Sequence, residues 1–173
     1  MNSIFSIANV VFKESLRNKV IISLIALSFI IIFISAFLDP IALGEKDRIV
    51  KDIGLGSISL FNLMIILLAG TRLIYQEIDK KTIYLIVTKP VSRTQIILGK
   101  FLGLMYIIDS ICISTGLFLI AVMLIFRIPF SPLIIISIIF ILLQFTLLAS
   151  IVIFFSTFTS PVMAGFFTMM TYI

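Results

Sequence analysis

Asp109 is the only acidic residue set well inside an apolar run. A carboxylate there is costly in a bilayer and ordinarily faces protein or water. Two uses are open: a station on a substrate or proton path, or a neutral acid hydrogen-bonded to a neighbour such as Asn62 or Gln144. At a helical rise of about 1.5 Å per residue it lies about 15 Å beyond Gly99, near mid-bilayer. Other chemistry is scarce. The chain has no histidine and one cysteine, Cys112, which removes an intrachain disulfide, a histidine-based zinc site and a Ser-His-Asp triad. Cys112 reads as a small packing residue, and the seven methionines, which lack regular spacing, read as gap fillers rather than thioether ligands for copper. No clustered acid, base and nucleophile points to a membrane-embedded enzyme. A secondary transporter or channel working through Asp109 would need matching repeats and interrupted helices, and no convincing repeat is visible.

The second concentration of reactive side chains is the charged island 72–100, RLIYQEIDKKTIYLIVTKPVSRTQIILGK. Ile74, Tyr75, Ile78, Thr82 and Leu85 form one face of a helix whose other side shows Gln76, Asp79 and Lys80. Pro90 stops that helix, because the residue before a proline is pushed out of the helical region. Ser92 and Gln95 then match a capping box, with Val91 and Ile96 as its hydrophobic staple. The pattern predicts a hairpin of two helices with a tight turn at 88–92, its second helix running on into the next apolar run. Gly99 and Gly103 form a G-x-x-x-G pair suited to close helix packing, and Ser110 with Ser114 extends the small-residue pattern. No G-x-x-x-x-G-K-[ST] loop is present, since Gly99-Lys100 is followed by Phe101 and position 94 is Thr. The chain therefore carries no nucleotide-hydrolysing site of that kind.

The elements that must position these residues are membrane spans. Hydrophobic residues make up 61% of the chain and charged ones 12%, with a mean hydropathy of +1.31, far from the composition of soluble domains. A spanning helix takes about 20 mostly apolar residues, which predicts an all-α polytopic membrane protein with spans at 20–38, 55–75, 100–126 and 133–155. A fifth run, 161–173, is about 13 residues long, short of a crossing, so the sequence is expected to stop within a helix. The first run is read as an anchor: its apolar core exceeds the roughly 7–15 residues of a signal-peptide core and no A-x-A site precedes Asp39. Residues 1–19 form an amphipathic interfacial helix, with Ile4, Phe5, Ala8, Val11, Phe12 and Leu16 on one side and Asn2, Asn9, Lys13, Glu14 and Arg17 on the other. The expected bend is at Asn18 and Lys19.

Orientation follows from Lys and Arg. The N-terminal stretch has Lys13, Arg17 and Lys19 against Glu14. The island has Arg72, Lys80, Lys81, Lys89, Arg93 and Lys100 against Glu77 and Asp79. In the loop 39–54, Lys46, Arg48 and Lys51 are outnumbered by Asp39, Glu45, Asp47 and Asp52. The N-terminus, the island and the link 156–160 are thus expected in the cytoplasm, and the link 127–132 outside. The net charge of +5 is a topology signal and not a nucleic-acid-binding one, which would need a basic patch on a folded soluble face.

The order Glu77, Thr82, an apolar stretch, Lys89-Pro90-Val91-Ser92-Arg93 and Gly99-Lys100-Phe101-Leu102-Gly103 is similar to the signature of ABC-2-type transporter permease subunits. The string TIYLIVTKPVSRTQIILGKFLG resembles the branch associated with multicopper-enzyme maturation, and the likeness covers essentially the whole chain as a single permease domain, 1–173. It implies six spans, of which this chain would reach the fifth, and a dimer with a second permease copy or homologue. It also implies a cytoplasmic segment, 76–99, that docks a separate ATP-binding subunit holding ATP and Mg, with no cofactor on this chain. Glu77, Asp79, Lys81 and Thr82 are then expected at or near the docking contact. Pro90, Ser92 and Arg93 would hold the turn, with Arg93 able to pair with a partner carboxylate. Location in the cell membrane, export of a substrate and, through the copper likeness, a metal-handling partner outside the membrane complete what the resemblance implies.

Overall fold

The computed structural model describes residues 2–37, 46–79 and 93–173. Among these there is no strand, and the fold class is all-α. Six helices follow one another: α1 Asn2–Leu16, α2 Lys19–Ser35, α3 Lys46–Asp79, α4 Arg93–Ile125, α5 Leu133–Ser156 and α6 Pro161–Tyr172. Three stretches are long and apolar enough to cross a membrane: Asp47–Thr71 in α3, Thr94–Ile125 in α4 and Leu133–Ser156, which is α5. The pair α1 and α2, bent by 68°, makes a fourth if it is taken as one broken span.

The bend has a local cause. Asn18 leaves the helical region (φ −72°, ψ 114°) and its side-chain oxygen accepts the backbone N–H of Val20 at 3.0 Å, capping α2. Its own N–H donates back to the Ser15 carbonyl at 3.1 Å, so the chain turns without leaving that donor unpaired. α1 leans on α4, the most extensive helix pairing in the bundle.

The stretch 39–54, read from sequence as a loop, is helical from Lys46, so α3 is under way well before 55. The charges there mask a buried helical stripe: Val50 is fully buried, and Gly54 lies so close to Leu119 that a Cβ on it would collide with that side chain. Charge content argued for a loop, but Asp52 is exposed while Val50, Gly54, Ser57 and Ile58 face inward, the spacing of one helix face.

α4 ends in a Schellman motif. Ile128 N–H donates to the Met123 carbonyl at 2.9 Å and Arg127 N–H to that of Leu124 at 3.3 Å, with Arg127 in the left-handed region at φ 54°. Ile128, 5% exposed, folds back into the core beside Met123. Pro132 and Pro161 then stand at the starts of α5 and α6, where a missing backbone donor costs nothing.

Packing divides into two tiers. Ile65, Ile66, Leu104, Ile107, Phe145 and Val152 form one, while Ile32, Val50, Ile58, Cys112, Leu119 and Met123 form the other. Ser28 Oγ is buried without a partner, but five other buried hydroxyls are satisfied within their own helices: Ser35, Ser57, Thr115, Ser156 and Thr168 each donate to a carbonyl three or four residues earlier. That is the solution open to a polar side chain where water is scarce.

Candidate functional site

The island predicted for docking is described at its two flanks. α3 continues as far as Asp79, so Glu77 and Asp79 lie in its last turn. α4 opens at Arg93. Lys81, Thr82, Pro90 and Ser92 fall outside the described residues, and with them the proposed turn and the N-cap of the capping box.

Just beyond Arg93 the geometry becomes tight. A Cβ on Gly99 would meet the Cβ of Ile7 at 2.8 Å and the Ile4 carbonyl oxygen at 3.1 Å. One on Gly103 would meet the Val11 Cβ at 2.7 Å and the Ala8 carbonyl oxygen at 2.8 Å. Both glycines therefore face α1, whose backbone approaches α4 as closely as a missing side chain allows. Between them lies Lys100, 3% exposed and, among the described residues, the one charged side chain that is buried. Sequence reading counted Lys100 as a topology charge; its place in a Gly-Lys-x-x-Gly pattern was the available signal. Ser110 and Ser114 follow further along α4, and Ser110 lines a groove with Phe5, Asn9 and Phe12 of α1. Both serines are exposed, and their hydroxyls donate to the carbonyls of Tyr106 at 2.6 Å and Ile111 at 3.0 Å.

Deeper in the bundle, Asp109 has one carboxylate oxygen, Oδ1, that is buried and without a hydrogen-bond partner. The two neighbours proposed for it are otherwise placed. Gln144 is exposed, and the Asn62 amide donates to the Ile58 carbonyl at 2.9 Å while its own Oδ1 is buried and unpartnered. A helix-internal acceptor one turn away competes successfully for the Asn62 amide. Near Asn62, the hydroxyls of Ser59 and Tyr172 are 2.8 Å apart, tying α3 to α6, and the Tyr172 ring stacks on Phe145 at 6.1 Å. A contact across 113 positions leaves no trace in local periodicity. Among the described residues no three Cys, Asp or Glu side chains converge as a metal site would require.

Residues 5–173 match the model of the ABC-2 family transporter protein family. The chain belongs to the ABC-2 family. The match is to the family as a whole and does not single out the multicopper-maturation branch. A comparison with curated proteins returns no match. As an ABC-2 chain, this protein is the transmembrane, permease part of an ABC transporter rather than its catalytic engine, and family members work with an ATP-binding subunit.

Proposed function

We propose that this chain is the membrane-spanning half of an exporter in the cell membrane, driven by ATP hydrolysis on a separate subunit. Its N-terminus and the segment 76–99 face the cytoplasm, and a second permease copy completes the pathway. The observation that carries the reading is the length of the helices on either side of that segment. The apolar stretch Thr94–Ile125 has 32 residues, about 48 Å, against a hydrocarbon core of about 30 Å. α3, with 34 residues, is about 51 Å long. Tilt absorbs part of this surplus; the remainder stands clear of the hydrocarbon as a pair of levers. Glu77, Asp79, Lys81 and Thr82 would meet the ATP-binding subunit, with Pro90, Ser92 and Arg93 holding the turn. Closure of the nucleotide-binding pair would then move the levers, as a two-state element biased by the nucleotide.

Co-purification with the cognate ATP-binding subunit tests this. The wild-type chain should retain the subunit, and the Glu77→Ala, Arg93→Ala double variant should lose it together with nucleotide-driven activity. An unchanged complex with unchanged activity would sink the docking assignment.

One observation favours a second reading. Asp109 Oδ1, buried without a partner, suits a secondary transporter or channel that loads a proton or cation at mid-membrane. Vesicles containing the chain alone separate the two: solute or proton flux without any ATP-binding subunit supports the second reading, and flux only with the subunit and ATP supports the first.

A further inference from the structure

On a helix surface residue i is flanked by i+3 and i+4, so Lys100 stands one turn before Gly103 and Leu104. Gly103 is pressed against Ala8 and Val11 of α1, and Leu104 against α3, where a Cβ on Gly70 would come within 3.4 Å of its Cδ2. Lys100 thus stands on α4 between the contact with α1 and the contact with α3, and there it is 3% exposed. Ile97 and Leu98, at nearly the same level on α4, are 42% and 50% exposed. The burial therefore belongs to this face of α4 and not to the depth along the helix.

Lysine is a poor passive filler for such a place. Removing an ammonium from water is costly unless its surroundings compensate it, and its flexible stem reaches solvent wherever a route exists. Methionine or leucine would fill the same place without that cost. A compensated cation, by contrast, holds its neighbours in one geometry, because separating them exposes an uncompensated charge.

We propose that Lys100 is a positioning residue that locks α1 to the α3–α4 pair, so that displacement of the start of α4 reaches α2 through α1. The inference rests on the coupling role proposed above. Its mechanical path is short. A push on the start of α4 passes to α1 at Gly99 and Gly103, Lys100 prevents α1 from sliding, and the 68° bend capped by Asn18 delivers the movement to α2.

Hydrogen exchange on the full chain in nanodiscs tests the lock in two arms, with Lys100→Met and Lys100→Arg. In the chain alone, Lys100→Met should speed exchange of the α1 amides by about tenfold through local opening, leaving α5 and α6 unchanged, and Lys100→Arg should restore slow exchange. Wild-type protection of α1 in Lys100→Met overturns the proposal, as does faster exchange throughout the bundle, which marks a general packing role. In the complex with the ATP-binding subunit, a non-hydrolysable ATP analogue should alter protection of α2 in the wild type and in Lys100→Arg, but not in Lys100→Met. A nucleotide response of α2 that survives in Lys100→Met also overturns it. If the wild-type chain binds no ATP-binding subunit, the coupling reading fails, while the first arm still decides whether Lys100 locks α1.

Discussion

Gly103 shows how little freedom single positions have where two helix backbones touch. A methyl group there would sit 2.8 Å from the Ala8 carbonyl oxygen and 2.7 Å from the Val11 Cβ, and neither atom is the free end of a flexible side chain. Gly56 is the internal control, with no atom within 4 Å of an added Cβ. Glycine costs a helix about 1 kcal/mol relative to alanine, so Gly56→Ala should raise the thermal midpoint of the purified protein. Gly103→Ala should lower it, because overpacking of about 1–3 kcal/mol outweighs the propensity gain. Fluorescence-detected unfolding in one detergent checks both, and a rise for Gly103→Ala would show that α1 yields easily. The pair was legible in sequence as G-x-x-x-G; its partner helix was not, because a small-residue pattern says that something approaches closely without saying what.

Individual helices carry the next level of consequence. α6 is only 12 residues long, and it holds to α3 through the Ser59–Tyr172 hydroxyl pair at 2.8 Å and to α5 through the Phe145 stack. Ser59→Ala and Tyr172→Phe should each destabilise the protein by about 0.5–1.5 kcal/mol, the usual net worth of a hydrogen bond. The double variant should cost less than the sum, since both remove the same bond. A double-mutant cycle on unfolding free energies checks this, and full additivity would mean that the two hydroxyls act separately. Element boundaries follow the same logic. The starts of α5 at Leu133 and α6 at Pro161 agree with sequence expectation, because prolines and the end of an apolar run coincide there. The start of α3 at Lys46 was hidden, because its first two turns mix buried Val50 with Asp47, Lys51 and Asp52. Charge density reports the solvent-facing side of a helix and is silent about the other.

For the whole molecule the testable quantity is topology. In the orientation proposed above, the link after α4 would lie outside and the link after α5 inside. Cys112 is fully buried, so the native thiol is a quiet background for labelling. In right-side-out vesicles Phe130→Cys should react with a membrane-impermeant maleimide and Phe158→Cys should react only after permeabilisation; both native side chains are exposed. The reverse pattern would invert the chain and move the segment 76–99 to the far side from any cytoplasmic ATP-binding subunit. Composition and hydropathy by themselves determined that this is an all-α membrane protein, because spanning length is a local property, and the residues of the island resemble those of ABC-2 permeases. Only the tertiary structure decided that α1 lies against Gly99 and Gly103, that Lys100 is buried, and that Asp109 and Asn62 do not satisfy each other. Those outcomes depend on which helix faces meet, and periodicity reveals that a face is apolar without naming its neighbour.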